Sequence, residues 1–473
     1  MTFLPSLRVA LVASSALLAV GCTSVGPDYH APEPTIGSAW QQSREAGLVD
    51  GTPIDGAWWK TFGDPQLDEI VERALEQNLD LRAAFARLES ATALRGVAAA
   101  DRWPSLDARA SYEHRSESEN TPFGAFIPRT NIHTIAVDAA WELDLWGRVR
   151  RSVEAADADL SASVADLDAA AVSVAGEVVA AYVDLRASQR RLAIAQDNLA
   201  LQERTLGLVR ARFGAGLVVE RDVAQAATNV ESTRSRLPSL AAAASTAQNR
   251  LAVLLGKSPM DLPSSLRAAA PLPTPPARVA VGVPADLVRR RPDVRAAERR
   301  FAAAFARIGV AEGDRYPRLT LGGTLGLAAN SANDVFDSGS DLAAFGPSVR
   351  WNLFDGGRLK QRVKSLEATA EVAQITWEKT VLLAVEETEN AMTSFVREQE
   401  RRSSLQRAAR EARRAVDLAQ SQYRAGLSDF QAVIDSERTV ATVEDDLVAS
   451  EAAIARSAVS LFKALGGGVP PRS

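Results

Sequence analysis

The 473-residue sequence contains very little cysteine and histidine, few aromatic residues and no surplus of positive charge. A single cysteine excludes an internal disulfide and a cysteine-based metal cluster, and the three histidines, at positions 30, 114 and 133, are not at metal-ligand spacing. With 54 Lys and Arg against 59 Asp and Glu, the net charge of −5 gives no indication of nucleic-acid binding. Aromatic residues make up 6%, which is low for a compact enzyme but typical of alanine-rich coiled coils.

Motifs that carry enzymatic chemistry are also missing. The stretch Gly256-Lys257-Ser258 lacks the upstream glycine of a P-loop, and there is no Gly-x-Ser-x-Gly sequence. The glycines between Gly322 and Gly326 lie in a predicted strand, where they indicate backbone packing instead of phosphate binding. We therefore expect a protein that is not an enzyme and that holds no metal and no cofactor, so that any energy it uses comes from a partner.

One hydrophobic run stands near the N-terminus, over residues 9–20 between Arg8 and Gly21-Cys22. It is too short to span a membrane as a helix and is typical of a secretory signal peptide. The arrangement resembles a bacterial lipoprotein signal, which would place a covalent lipid on Cys22 although Ala19 stands where leucine is more usual. Thr23, where aspartate would signal inner-membrane retention, favours sorting to the outer membrane. A plain signal peptide with an incidental cysteine is the alternative.

A long stretch over residues 148–213 contains no proline and only two glycines, Gly176 and Gly207. Apolar residues recur in it every seven positions in two ladders offset by three and four, which is the a/d seam of a coiled coil. At 1.5 Å per residue this helix would be roughly 100 Å long. A helix of this length needs partner helices along its whole run. A purely structural coiled coil is one interpretation of this pattern.

Four segments change from a period of seven to a period of two, near residues 106–113, 135–145, 319–327 and 345–353. Charged and small polar residues occupy one face, and aliphatic and aromatic residues the other. Strands of about ten residues have the length that a tilted transmembrane strand needs, although an ordinary soluble hairpin fits the pattern equally well. Four strands cannot close by themselves, so membrane strands would require several chains to share one barrel. Pro347 predicts a bend or an edge strand.

The whole pattern occurs twice. Asp101-Arg-Trp-Pro104 returns as Asp314-Arg-Tyr-Pro317, and Gly147-Arg148 returns as Gly357-Arg358. Each repeat is predicted to contain a helix, two strands, a very long helix and a return helix. The first helix is predicted over residues 65–100, and Pro238 predicts a kink or a local break in the first return helix. The predicted segments are a signal peptide at 1–21, an extended lead at 22–64, a first repeat at 65–256, a proline-rich connector at 257–283, a second repeat at 284–466 and a tail at 467–473.

Several motifs in this order resemble the TolC/OprM outer-membrane efflux family, lipoprotein branch. They are Gly26-Pro-Asp-Tyr29, Trp59-Lys-Thr-Phe-Gly-Asp-Pro-Gln-Leu-Asp68, Arg290-Arg-Arg-Pro-Asp-Val-Arg295, Phe345-Gly-Pro-Ser348, Leu353-Phe-Asp-Gly-Gly-Arg358 and Tyr423-Arg-Ala-Gly426. The resemblance implies a mainly α fold with membrane β, in which a homotrimer builds one twelve-stranded barrel and a long α-helical barrel across the periplasm. It also implies an equatorial collar where the connector and the termini meet.

The resemblance further implies the function of an exit duct in a tripartite efflux pump. Its partners would be a periplasmic adaptor, an inner-membrane RND-type transporter and outer-membrane lipid, with drugs or other small molecules as cargo. A duct for type I protein secretion has the same fold and stays an alternative. A lipid-anchored coiled-coil scaffold is an alternative from another class, and it predicts that no pore forms.

Two glycine-rich turns end the long helices and, by helix length, lie about 100 Å from the strands. In the family such turns form the periplasmic tip that meets the adaptor. The residues assigned to this tip are Arg212, Phe213, Gly216 and Leu217, with Tyr423, Arg424, Gly426 and Leu427. Simple helix capping by the glycines is the alternative.

Asp435 resembles the aspartate that lines the closed tunnel mouth in the family, whereas Gln431 and Ala432 stand where relatives carry a second gate residue. An exposed helix carboxylate without a gating role is the alternative for Asp435.

Overall fold

The structure is a computed structural model, and it describes residues 24–34, 36–37, 39–41, 47–49, 51, 56–118, 120–122, 126 and 129–467. Cys22 and the predicted signal peptide lie outside these residues. None of the described helices is both long enough and apolar enough to cross a membrane.

The first repeat is preceded by strand β1 (Leu48–Val49) and a 3-10 helix (Trp58–Phe62). Its own elements follow in the predicted order: α1 (Pro65–Gln77), α2 (Leu79–Ala100), β2 (Ser105–Arg115), β3 (Thr130–Leu143), α3 (Arg148–Gly214) and α4 (Glu220–Leu254). Asp64 begins α1, because its carboxylate accepts hydrogen bonds from the backbone N–H groups of Gln66 and Leu67.

The connector contains a 3-10 helix (Pro259–Asp261), α5 (Ser264–Arg267) and β4 (Val279–Ala280). The second repeat consists of α6 (Pro284–Arg290), α7 (Pro292–Gly313), β5 (Arg318–Ala329), a 3-10 helix (Ala332–Asp334), β6 (Asp341–Arg350), α8 (Arg358–Arg424) and α9 (Phe430–Ala464). The long helices α3 and α8 have 67 residues each, and the return helices α4 and α9 have 35 each. The duplication therefore preserves helix length residue for residue.

The single helix predicted over residues 65–100 is wrong, because the chain breaks at Asn78 into α1 and α2. Asn78 is extended, with ψ of 134°, and its side-chain oxygen accepts from the N–H groups of Asp80 and Leu81. Its amide nitrogen donates to the carbonyl of Leu254 at 2.9 Å. Arg291 stands at the matching break between α6 and α7 and donates to the carbonyl of Ala464 at 3.1 Å. Each break thus caps the C-terminus of a return helix, a role that local helix propensity does not reveal.

Helix α4 runs without interruption through Pro238, so of the predicted kink or local break the break is wrong and the kink stays a prediction. Proline removes one backbone hydrogen bond from a helix interior. Buried residues on both sides, among them Val230 and Ala244, hold α4 in place by packing. Tertiary packing therefore outweighs the local cost of the proline.

Contacts between residues divide the chain into two compact units. The first comprises Met1–Pro32, Arg87–Ser163 and Ala296–Trp377. It contains an antiparallel four-stranded sheet in the order β2-β3-β5-β6. Strands β2 and β6 are its two edges. Pro347 lies in β6, which confirms the prediction of an edge strand there.

The second unit comprises Glu33–Ala86, Val164–Arg295 and Glu378–Ser473. It contains the short parallel pair β1-β4 and a core in which Trp58 and Trp59 are almost completely buried. Trp58 stacks on Phe462 of α9 with ring centroids 5.2 Å apart. The motif around Trp59 therefore fastens the N-terminal lead to the last helix of the same unit.

Candidate functional site

The four-stranded sheet has one apolar and one polar face, as the period of two predicts. Apolar side chains on one face are strongly exposed, with Phe345 at 92%, Leu106 at 72% and Leu325 at 70%. On the other face Thr324 donates to Asp138 at 2.6 Å, and Arg109 forms an ion pair with the same carboxylate at 3.3 Å. An exposed apolar surface of this kind marks a site of contact with lipid or with another protein.

Tryptophans stand at the same end of both hairpins. The indole N–H of Trp141 donates to the carbonyl of Arg102 at 3.0 Å, and that of Trp351 donates to the carbonyl of Arg315 at 3.1 Å. The two contacts are copies of one another in the two repeats. Amphipathic rings with a hydrogen-bonded polar end are characteristic of the boundary between membrane and water.

The lead after Cys22 is fastened to the first unit. Val25 donates its N–H to the carbonyl of Trp146 at 2.9 Å, and Arg151 binds the carboxylate of Asp28 at 2.6 Å. The ring of Tyr29 contacts the edges of Phe301 and Phe305 with centroids 5.4 and 5.9 Å away. Burial and the hydrogen bond to Glu298 raise the pKa of the Tyr29 phenol well above its usual value. The motif Gly26–Tyr29 therefore has a definite place in the fold.

The two glycine turns are built alike. Gly216 has φ of +71°, its N–H donates to the carbonyl of Phe213 at 2.9 Å, and the N–H of Leu217 donates to the carbonyl of Arg212 at 2.9 Å. Gly426, with φ of +74°, and Leu427 repeat the pattern with bonds of 3.1 and 2.9 Å. This is the Schellman motif, in which a left-handed residue ends the helix, and glycine adopts that conformation without steric cost.

The two turns meet through a contact between Arg212 and Tyr423. The guanidinium donates to the carbonyl of Tyr423 at 2.6 Å and lies 4.6 Å from the centre of its ring. Tyr423 is buried, at 4% exposure, whereas Leu217 and Leu427 are 66% and 81% exposed. Phe213 and Arg424 are also exposed. The predicted tip residues therefore divide into a contact pair that joins the turns, buried Tyr423 with partly buried Arg212, and an exposed, mainly apolar group.

Asp435 lies on the first turns of α9 with an exposed side chain. Its carboxylate accepts a hydrogen bond from the Gln431 amide, one helical turn earlier, at 2.9 Å. Gln431 thus supports Asp435 by a neutral hydrogen bond and adds no second charge. The assignment of Asp435 to a gate stays a prediction.

A buried carboxylate two residues further along α9 was missed in the sequence. Glu437 is 2% exposed and accepts hydrogen bonds from Thr205 of α3 at 2.6 Å, Gln420 of α8 at 3.2 Å and Asn229 of α4 at 3.4 Å. Burial raises its pKa above the usual value, and the three hydrogen bonds oppose that rise. One signal was available: Glu437 stands four residues after Val433 and three before Val440, on the apolar seam itself.

The described part of the chain contains no group of three or more His, Cys, Asp or Glu side chains arranged to hold a metal ion. The fold instead provides four structural features: a sheet with one apolar and one polar face, an N-terminal lead bound to the first unit, a pair of glycine turns, and a buried polar layer around Glu437 that joins four helices.

The sequence matches the family described as "Outer membrane efflux protein" over residues 70–257 and 283–467, one match for each repeat. It is 32% identical to Nodulation protein T of Rhizobium leguminosarum bv. trifolii, over 96% of each chain. It is 33% identical to the pyoverdine export outer membrane protein OpmQ of Pseudomonas putida, over 98% of each chain. The fold is similar to the solved outer-membrane channel OprN, with a TM-score of 0.88, 38% identity, and coverage of 94% of this chain and 99% of that one. The chain therefore belongs to the outer membrane efflux protein family and is a transport protein of the outer membrane.

Proposed function

We propose that this protein is the exit duct of a tripartite RND-type efflux pump, and that it carries small molecules to the exterior as a homotrimer. The observation that carries the proposal is the open four-stranded sheet with an exposed apolar face and a polar face. In lipid every backbone N–H and C=O group needs a partner, so the free edges of β2 and β6 must be covered. Three copies would join edge to edge into a twelve-stranded barrel with the polar faces inside.

Helix α8 supports association with further copies. Val372, Ile375, Leu382 and Leu383 lie along it with 51–63% of their surfaces exposed. Their spacing places them on one side of the helix, and within the part of the chain that the structure describes this apolar surface stays more than half exposed. A neighbouring copy of the same chain would bury it, as a closed helical barrel requires.

Lipidation of Cys22 is part of the proposal and is supported by the place of the lead. Ser24, two residues after Cys22, packs against Gly147, where a Cβ would lie only 2.1 Å from the Ser24 hydroxyl oxygen. The neighbouring Trp146 ring stacks on Tyr316, with centroids 4.9 Å apart. A lipid attached at this level would enter the membrane beside the ends of the strands.

Docking of a periplasmic adaptor at the tip is supported by the exposed leucines. In a Schellman motif an apolar residue after the glycine usually packs against the residue that starts the motif. Here those starting residues are the polar Arg212 and Gln422, and Leu217 and Leu427 stay exposed. Helix capping alone requires the glycines but not two exposed leucines, so these side chains favour an apolar partner such as an adaptor hairpin.

Asp435 would be the gate residue of this duct. Threefold repetition of an exposed carboxylate would form a ring that attracts cations and repels itself. Because Gln431 supplies no second charge, the ring would depend on Asp435 alone.

Two alternative functions, a type I secretion duct and a lipid-anchored scaffold, predict different experimental results. A duct for type I secretion shares every structural feature above, but the matched relative OpmQ is named for export of a small molecule, pyoverdine. A lipid-anchored scaffold would leave the strands in water and form no pore.

The test is single-channel conductance of the purified full-length protein in a planar bilayer. We expect small channels that are closed most of the time. A protein that inserts no channels at any concentration would contradict the duct and favour the scaffold. Small-molecule and protein cargo are then separated by drug susceptibility and secretion assays in a deletion strain.

A further inference from the structure

The two repeats differ in charge where the strands meet the long helices. In the first repeat the start of α3 carries Arg148, Arg150 and Arg151, and each has a carboxylate. Arg148 binds both oxygens of Glu142 at 2.9 Å. Arg150 pairs with Asp144, and Arg151 pairs with Asp28 and Glu154. Cations at a helix N-terminus oppose the helix dipole, and these carboxylates offset that cost.

The second repeat has the cations without the carboxylates. The start of α8 carries Arg358, Lys360, Arg362 and Lys364. The residues that correspond to Glu142 and Asp144, 210 positions later, are Asn352 and Phe354, and Lys364 corresponds to Glu154. Asp355 is the nearby acid, and its oxygens accept from the backbone N–H groups of Gly357 and Leu359. Within the described residues none of these four cations lies within 4 Å of a carboxylate.

A cavity of about 620 Å³ lies beside this helix start. Arg350, Arg358 and Arg362 line it, together with Thr320 and Ser348 of the polar sheet face. Arg350 stands directly opposite Arg318 in the β5-β6 pair, so like charges face each other across the strands. Two acids also line the cavity, but Glu142 is held by Arg148 and Asp314 by Arg318. Three exposed arginines therefore remain in excess.

We propose that this cavity is a local binding site for anionic solutes on their way through the duct, and that its ligands bear carboxylate, phosphate or sulfate groups. The inference rests on the proposed duct, because the polar sheet face lines the lumen only if the strands form a barrel. Guanidinium groups bind such anions through paired N–H donors. Three copies would repeat the cavity around the lumen and concentrate anions there.

The position of the arginines favours a solute over a lipid headgroup. Along β6, Arg350 alternates with Val349 and precedes Trp351, both of which belong to the exposed apolar face. Arg350 therefore projects to the polar side of the sheet. Arginine stays protonated throughout the accessible range, so anion preference should not change between pH 5 and pH 9.

The experiment measures the reversal potential of the full-length protein under a KCl gradient in neutral phosphatidylcholine bilayers. The variant is R350Q/R362Q, and the matched control is K360Q/K364Q, which removes two charges from the same helix start without touching the cavity lining. We expect the chloride-to-potassium permeability ratio to fall roughly threefold or more in the variant and little in the control. Pyrophosphate should bind the wild-type protein in isothermal titration at low salt and bind the variant markedly less.

Four other outcomes would contradict the anion site, and each of them points to a different cause. Channels with unchanged selectivity in R350Q/R362Q would overturn the anion site and leave the duct intact. A loss of oligomer mass in that variant would show that the arginines pair with carboxylates of a neighbouring copy, which also overturns the site. A shift that occurs only in bilayers with anionic lipid would assign the arginines to headgroups. The absence of any conductance from the wild-type protein would overturn the duct and this inference together.

Discussion

The two long helices α3 and α8 have the same length but different surroundings. Along α3, Val153, Tyr182 and Leu185 are completely buried within the chain. Along α8, apolar residues such as Val372 and Leu382 are 63% exposed. The two long helices therefore share their length, whereas their apolar residues differ in burial: α8 exposes Val372 and Leu382 but buries Met392 and Phe395.

The same contrast holds for polar groups. The first repeat pairs the arginines at the start of α3 with carboxylates, whereas no carboxylate of the described residues lies within 4 Å of the cations at the start of α8. Conversely, the second repeat carries the buried Glu437, for which the corresponding first-repeat residue, 210 positions earlier, is Ala227. The specialised groups of the second repeat would thus serve conduction and gating, and the first repeat would serve as the support. The predictions below test this division of roles.

The largest effect on stability is expected at the helix breaks. Arg291 binds Asp293 at 2.7 Å, Glu387 at 2.8 Å and the carbonyl of Ala464. Arg291→Ala removes both ion pairs and the bond to Ala464, and it should cost about 2–4 kcal/mol. The matching Asn78→Ala removes neutral hydrogen bonds only and should cost about 1–2 kcal/mol. The thermal midpoints of the two detergent-solubilised variants measure these losses of stability. Equal losses would mean that the two helix breaks are equivalent.

A smaller loss of stability is expected for a substitution in the glycine turns. Gly426→Val forces a β-branched residue to φ near +74°, where no side chain or backbone atom lies within 4 Å of the added Cβ. The cost is therefore backbone strain of about 1–3 kcal/mol. Gly207→Val inside α3 also enters open space but keeps helical backbone, so it serves as the control and should change stability little. Normal adaptor assembly by the Gly426 variant would contradict the tip assignment.

Glu437 should make stability depend on pH. Its pKa is raised by burial, so the folded protein binds this proton more tightly than the unfolded chain does. The favourable contribution is present below the unfolded pKa and is lost as pH rises through the folded pKa. Glu437→Gln should remove that dependence and raise stability near neutral pH by on the order of 1 kcal/mol. Thermal midpoints measured from pH 4 to pH 8 test this, and parallel curves for the two proteins would contradict it.

The smallest effect on stability, with a clear effect on conduction, is expected at Asp435. Asp435→Ala removes an exposed carboxylate together with its hydrogen bond from Gln431, and it should raise the open probability several-fold because the resting gate loses this contact. Gln225→Ala, at the corresponding position of the first repeat, is the control and should leave conduction unchanged. Single-channel recordings compare the two variants, and the same open probability in both would remove Asp435 from the gate.

Much of the fold followed from periodicity. The heptads of residues 148–213, the alternation in the four strands and the repeated motifs predicted the element order, because these patterns are properties of single helices and strands. The break at Asn78 was missed, although asparagine is a favoured N-cap residue and its side chain caps α2 locally. Its second bond, to Leu254, joins residues 176 positions apart and has no local sequence signal. The glycine turns could be located from sequence, but the burial of Tyr423 and the exposure of Leu427 depend on how two distant turns meet.

The charge difference between the repeats also shows what a sequence pattern alone does not reveal. Arg148 and Arg358 occupy corresponding positions, each directly after a glycine. The residues six positions earlier differ, and the fold brings one of them, Glu142, back to bind Arg148. Charge at a site is a property of neighbours in space, and a single-chain sequence pattern does not supply these neighbours.

The most direct test of the central claim is disulfide trapping between the two edge strands. The only cysteine of the sequence is Cys22, so disulfides formed by introduced cysteines are easy to identify. Ala108 or Ala110 of β2 is changed to cysteine together with Ala343 or Phe345 of β6, and the oxidised outer membranes are run on a non-reducing gel. A shared barrel predicts that at least one pair gives covalent products that end at three chains. Products of one chain in every pair, or a series that continues beyond three, would contradict a closed trimer.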